Sequence, residues 1–375
     1  MKSSILICGA GVAGLSTAHF LLRAGHAVTI VERSPTFRGG GQAVDVRGVA
    51  LDVVARMGLL DDVREHRTHL KGMSILDADG RELSRNLERT MTGGRFDSGD
   101  VEIFRDDLCR LLMQRCGEAE LIPGDHATAL HDDGAGVDVH FASGTTRRFD
   151  LVIGADGLRS RTRRLVFDAT DECVIELGAV LALFTAPNAS PLIDWELMYR
   201  DAERGVVAYP TIDNRELRVG AGFGADVRAL RGNEAAQKAL VAQRCADLGG
   251  DWRPMLDALE ATPQFWFGEI AQVRLERWSR GRVVLVGDAA YCASPFSGQG
   301  TSLALVGAFV LADSLACAGG DFGGAFSLYE TRMRPFVDAN QRLVDLTRVG
   351  PIPDEQMDAA KNGIVLDAAR PQPPL

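Results

Sequence analysis

Gly9-Ala10-Gly11-Val12-Ala13-Gly14 forms the first turn of the chain, and its surroundings decide the fold. Ile5-Leu6-Ile7-Cys8 before it is a short apolar run of strand type, and Leu15–Leu22 after it reads as a helix. Val28-Thr29-Ile30-Val31 is the next strand. It ends at Glu32, about 20 residues past the glycines, the spacing of a dinucleotide-binding βαβ unit. In such a unit Gly9 permits the tight turn, Gly11 lets the backbone approach a pyrophosphate, and Gly14 lets helix and strand pack closely. The helix N-terminus offers N–H groups and a positive dipole end to phosphates. Glu32 would accept hydrogen bonds from a ribose, and Arg33 beside it joins the cofactor-binding candidates. A glycine-rich turn without a ligand would leave Glu32 unexplained.

A second stretch, Gly281–Ala290 (Gly-Arg-Val-Val-Leu-Val-Gly-Asp-Ala-Ala), completes the reading. Val283–Val286 is a strand of buried, parallel type, and Asp288 stands at its end, either as a ribose contact or as a helix N-cap. The loop Pro295–Gly300, with Gly298 inside it, feeds a helix from Thr301 and aims its N–H groups outward. Arg148–Gly154 reads as another parallel strand, ending at Ala155-Asp156-Gly157. Between about 175 and 275 the texture alternates: Ala179–Phe184, Trp195–Tyr199, Val206–Tyr209, Leu217–Phe223 and Gln264–Leu275 have antiparallel patterning. The expected class is therefore α/β (α+β overall). Segments 1–70, 100–175 and 280–320 build a discontinuous Rossmann-like domain. Segments 71–99 and 176–279 build an inserted antiparallel domain. A C-terminal helix occupies 321–349, and the Pro-flanked tail 350–375 is expected to be only partly ordered.

The composition, 46% hydrophobic and 25% charged over 375 residues, is that of a globular chain with ample core. A net charge of −10 argues against nucleic acid or an anionic membrane as main partner. Seven scattered cysteines in no CxxC spacing fit a reducing, cytoplasmic compartment and no metal framework. The apolar N-terminus is broken by glycines that the turn requires, which excludes a secretion signal. The most apolar stretch, Leu303–Ala318, carries Asp313. No histidine lies beyond His140, so a histidine-based site in the C-terminal part is excluded and a cofactor should carry the chemistry. His19 and His26 are expected at the surface.

Three motifs, in order and at matching spacing, resemble one family. They are Gly9–Gly14 with Glu32; Asp150–Arg163, containing Asp156-Gly157; and Gly287-Asp288-Ala289-Ala290 with Pro295 and Gly298-Gln299-Gly300. The chain looks like a single-component FAD-dependent aromatic monooxygenase of the para-hydroxybenzoate-hydroxylase-like type. Within that type it is closest in look to tetracycline-inactivating and polyketide-tailoring hydroxylases. The resemblance spans roughly residues 1–345. It implies that Asp288 meets the cofactor's ribityl chain and that Asp156 supports FAD and NAD(P)H, capping of the strand end being the alternative. It implies that Arg105 pairs with the pyrophosphate, unless it is a surface arginine, and that Arg47 lies over the flavin. Where many members carry histidine after the Gly-Asp-Ala segment, this chain has Tyr291-Cys292; Cys292 reads as a buried bystander.

The reaction implied is hydroxylation, or Baeyer–Villiger insertion, through a flavin hydroperoxide, with NADPH or NADH as a transient reductant and O2 as co-substrate. Catalysis is flavin-borne, with no metal. A flat aromatic or polyketide-like substrate should sit between the flavin and the antiparallel sheet, near some of Arg47, Met198, Tyr209, Phe223 and Trp266, with Phe184 and Phe267 also candidates. The protein is expected to be a monomer or weak homo-oligomer. Two other readings remain: an FAD-dependent oxidase or dehydrogenase, and a non-catalytic flavoprotein that sequesters a drug. Trp266-Phe267-Gly268-Glu269-Ile270 departs from the Trp-x-Trp-x-Ile-Pro of flavin-dependent halogenases and argues against that activity.

Overall fold

The computed structural model describes residues 2–37, 39–167, 171–189, 192–348 and 351–367. Its first sheet has six strands in the spatial order Ser279–Arg280, Val283–Leu285, Leu151–Gly154, Ser4–Cys8, Ala27–Glu32, Glu120–Pro123. All neighbours run parallel except the first pair. Both faces of its four central strands are covered, which is why those strands are apolar runs. Ile5 and Ile7 pack with the helices Val12–Arg23 and Gly300–Cys317. Leu6 and Cys8 point the other way, onto Val137, Val139 and Phe149 of a three-stranded antiparallel meander. Arg148 and Phe149 belong to that meander, pairing with Asp138 and Val137. The parallel strand begins only at Leu151, a correction to the single strand Arg148–Gly154: the chain switches sheets at Asp150.

The helix Gly300–Cys317 is long and apolar enough to cross a membrane by length and composition, yet 72% of it is buried inside the fold. Its Asp313 pairs with Arg332 of the helix Phe322–Gln341 at 2.8 Å. His19 is also buried, contrary to the expected surface position. The helix Val12–Arg23 is enclosed along nearly its whole length, and this burial lowers the His19 pKa.

The second sheet has seven strands in the order Phe265–Val273, Val174–Pro187, Glu216–Gly224, Arg204–Pro210, Glu196–Arg200, Met73–Leu76, Glu82–Asn86. Its far face carries the helices Glu234–Arg244 and Trp252–Asp257 over a core that includes Leu217, Val219, Ala221 and Phe223. Its near face turns toward the first sheet's loops. There Val207 and Tyr209 pack on Ala43 and Phe104 of the ribbon Ala43–Val46/Val101–Phe104. Part of the tail is helical among the described residues. A helix, Asp354–Lys361, docks through Lys361 to Asp100 at 3.0 Å and Asp354 to Arg89 at 2.6 Å. Pro351 and Pro353 precede its first turn, where proline is tolerated, and Asp354 and Glu355 suit its positive end. The rest of the tail, beyond residue 367, lies outside the described residues.

Candidate cofactor and substrate site

The glycine turn is built as its spacing requires. Gly9 has φ 111° and donates to the Val31 carbonyl at 2.8 Å. A Cβ on Gly14 would stand 1.9 Å from the Gly9 carbonyl oxygen, whereas one on Gly11 would meet nothing within 4 Å. Gly14 is therefore closed by protein and Gly11 faces open space. Gly11 caps the helix without any side-chain hydrogen bond, so the first-turn N–H groups remain for a ligand. Glu32 accepts from the Ala10 N–H at 2.9 Å and the Ser34 N–H at 2.8 Å. It thereby braces the turn while keeping lone pairs to accept further bonds. Arg33 is exposed beside it.

A second helix start converges on the same place. Gly287 has φ 65°, and a Cβ there would touch the Ala13 Cβ at 2.7 Å, so the strand end abuts the first helix. Asp288 is exposed although the residues on both sides of it are buried, the signature of a recess inside the fold. The cap position of its short helix, Asp288–Tyr291, falls on Gly287, so Asp288 is the first helical residue and not the N-cap. The surrounding protein raises its pKa. Ser294, held at φ 78°, starts the loop. Pro295 is exposed, Gly298 is left-handed at φ 62°, and Gly300 begins the long helix with open space in front. Tyr291 fills the space behind, its hydroxyl 3.0 Å from that of Tyr329. A Cβ on Gly307 would collide with it at 1.9 Å. Cys292 is buried, its thiol pushed well up by burial, and it donates to the Ala271 carbonyl, as a bystander should.

Arg105 begins the helix Arg105–Gln114, and its Nε is buried with no protein partner. Arg47, Arg163 and Arg332 also have an unpartnered Nε but are bonded through their other nitrogens; Arg105 makes no ion pair among the described residues, which leaves its guanidinium open to an anion. Asp156 behaves differently. Its carboxylate accepts from Ser160, from the Arg161 and Thr162 N–H groups at 2.8 and 2.9 Å, and from the Thr162 hydroxyl. It caps the start of the helix Arg161–Phe167, not the strand end, while lying against Gly9. Arg163 ties this segment to the Ala289 carbonyl at 2.9 Å.

Arg47 is 1% exposed and enclosed. It pairs with Asp45 at 2.9 Å, donates to the Thr92 carbonyl at 3.0 Å, and abuts the Met357 sulfur of the tail helix. A Cβ on Gly298 would lie 3.1 Å from its Nη1, so it does sit at the loop. Around it is a cluster of acids that the motifs did not announce. Asp45 and Glu102 are register partners on the two-stranded ribbon. Thr92 donates to Glu102 at 3.2 Å, and Met91 donates to Glu196 at 2.9 Å. Burial, then the Asp45 charge, pushes the Glu102 carboxyl up to about 7; burial, then Glu102, raises Glu196 well above the ordinary range. Because these folded values exceed the unfolded ones, the native state holds protons that the unfolded chain releases first. The cluster's contribution is full below about 4.5 and is lost as pH rises through about 7. Glu102→Gln, neutral at every pH, is expected to flatten the fall in melting temperature across that window. A scan showing equal slopes in the two proteins would refute this.

Strand parity sorts the aromatic candidates. Trp266, Leu183, Gly220, Val207 and Met198 are successive register partners across five strands. They share the near face with Tyr209, whose hydroxyl accepts from the Ala43 N–H at 3.0 Å. Phe223 lies on the opposite face with Phe184 and Phe267, packed under the helices. It is core, because alternate residues of a strand point to opposite faces.

The comparisons with known proteins agree with this geometry. The FAD binding domain family matches residues 2–342. An uncharacterised protein of Mycobacterium tuberculosis is 43% identical over 367 residues, covering 97% of this chain and 99% of the relative. A flavin-dependent monooxygenase of Legionella longbeachae is 36% identical over 347 residues, covering 90% and 87%. The crystal structure of the tetracycline destructase Tet(51) is similar at a TM-score of 0.88 and 32% identity, covering 97% and 99%. The chain belongs to the FAD-binding-domain family, among its flavin-dependent monooxygenases.

Proposed function

We propose that the protein takes reducing equivalents from NADPH or NADH and uses O2 to oxygenate a flat aromatic or polyketide-like small molecule. The observation that carries this is the convergence of two uncapped helix N-termini and a recessed carboxylate beside an apolar sheet face. The first helix, with Gly9, Gly11 and Gly14, and Arg105 would hold the pyrophosphate. Glu32 and Asp288 would take the ribose and ribityl hydroxyls. Gly298 would shape the loop, its N–H donating to the Pro295 carbonyl, and the N–H groups from Gly300 onward would face the negative charge that builds on the reduced ring. Bound FAD supplies the oxygen activation; the chain's residues orient, desolvate and polarise. Asp156 would act by holding its loop against Gly9. Tetracycline destructases and flavin-dependent monooxygenases among the relatives support the substrate class. The acidic chain suits a small-molecule partner, and the reducing cytoplasm, as a location, suits the reductant.

The test is NADPH and NADH oxidation by the FAD-loaded protein, with and without tetracyclines, anthraquinones and phenols, products being read by mass. Stimulated oxidation with a product one oxygen heavier supports the reading. Stimulation yielding only peroxide favours an oxidase, and tight binding without turnover favours sequestration. Arg105→Met is expected to weaken FAD binding roughly 10- to 100-fold, the worth of charge-assisted bonds to phosphate. Fluorescence titration of FAD measures this, and an unchanged affinity removes Arg105 from the site.

A further inference from the structure

The near face of the seven-stranded sheet has an unusual surface. On the strand Glu216–Gly224, every position on that face after Arg218 is glycine: Gly220, Gly222 and Gly224. Gly205 pairs with Gly222 on the next strand, and Leu181 lies between Gly222 and Gly268 on the other side. Glycine weakens a strand interior and is retained where something must approach the backbone closely. No other part of the described chain makes that approach. Within 4 Å of a Cβ built on Gly205, Gly220, Gly222 or Gly224, every atom belongs to the sheet itself. None of the four is held at positive φ, so backbone conformation does not require them.

The side chains around the central glycines are apolar, yet not covered, while the exposed Arg200 stands opposite Gly205 at the rim. Trp266 is 46% exposed, its indole laid across Gly268, and Leu181, Leu183, Met198 and Ile75 are half-buried. A face meant for water would alternate polar residues outward. This one continues directly from the row that touches the cofactor domain: Arg218, one step before Gly220 on the same face, reaches Asp106 beside Arg105. From Trp266 to Met198 the surface spans five strands, roughly 19 Å at the usual spacing.

We infer that this glycine floor is the substrate platform, and that Gly205, Gly220 and Gly222 are specificity-determining because their missing side chains let a rigid molecule of several fused rings lie flat on the sheet. A single ring would cover about one strand spacing and would not need them. The inference rests on the oxygenase reading above and adds the size and shape of its substrate.

Gly222→Val and Gly205→Val test it, since valine suits a strand and should preserve the fold. Retained FAD and melting temperature verify this for each variant. Tetracycline, an anthraquinone and phenol are titrated against the FAD-loaded proteins, and the perturbation of the flavin spectrum is read. The two multi-ring probes should bind roughly 10- to 100-fold more weakly to either folded variant, the penalty of inserting two methyls into a filled contact, while phenol changes little. Undiminished multi-ring binding, or an equal loss for phenol, overturns the floor alone. If the wild-type protein binds neither multi-ring probe, the floor and the substrate reading beneath it fall together.

Discussion

A valine at position 14 is expected to leave the protein without FAD. The Cβ of any residue there would sit 1.9 Å from the Gly9 carbonyl oxygen, and Gly9 cannot retreat, because its own Cβ direction meets the Ala155 oxygen at 2.6 Å. The strand end, the turn and the helix are locked three ways, so the helix must move outward. Overpacking of this kind costs about 1–3 kcal/mol in stability. Because the displaced N-terminus is what would face the phosphates, a comparable loss in binding would raise the FAD dissociation constant roughly 10- to 100-fold. Purified Gly14→Val should be colourless at micromolar concentration. Gly11→Ala makes the instructive contrast. Its added methyl meets no protein atom within 4 Å, so the variant should melt normally and lose affinity only by crowding the ligand. A stoichiometrically yellow Gly14→Val protein would contradict the whole account of the turn.

Arg47→Met should be the most destabilising single change in the site. Its guanidinium is the positive charge against buried Asp45, whose carboxyl burial pushes up and Arg47 draws back down, with Asp100 adding negative charge nearby. Removing one partner of a buried pair leaves the other uncompensated, at about 3–5 kcal/mol. At about 2.1 cal/mol/K of unfolding entropy per residue, that is roughly 4–6 °C of melting temperature for 375 residues. The damage comes from the stranded carboxylate and not from the lost contact, so Arg47→Met with Asp45→Asn should recover much of it. Differential scanning calorimetry on both proteins decides the matter: a double variant no better than the single would mean that Arg47 stabilises by packing alone.

The parts of this fold that could be read from the chain are those where one local rule acts alone. Gly9–Gly14 sits between an apolar strand and an apolar helix, and Asp288 stands at the end of Val283–Val286; both follow from spacing along a few residues. Strand parity carries a further signal. Leu217, Val219, Ala221 and Phe223 alternate with Arg218, Gly220, Gly222 and Gly224, which already separates Phe223 from Tyr209's face. What could not be read depends on contacts across hundreds of residues. The enclosure of Arg47 needs Met357 from a segment whose prolines advertise disorder, and the acid cluster needs Asp45, Glu102 and Glu196 from three strands. His19 is intermediate: the apolar residues all around its helix indicate burial on every side, a signal that outweighs the polarity of one imidazole.

The order of strands in the six-stranded sheet also has a consequence for how the protein is made. Ser4–Cys8 emerges first, yet its neighbour Leu151–Gly154 and the next strand, Val283–Leu285, arrive far later, and Gly287 must still close against Ala13. At roughly 5–20 residues per second, the glycine turn waits about 14 to 55 s on the ribosome before its last wall exists. Throughout that time the nascent chain exposes apolar parallel strands and can gain nothing from the cofactor. Non-local pairing of this sort is slow and prone to aggregation. Yield in a heterologous host should therefore respond to chaperones and growth temperature during translation, and much less to FAD supplied in the medium.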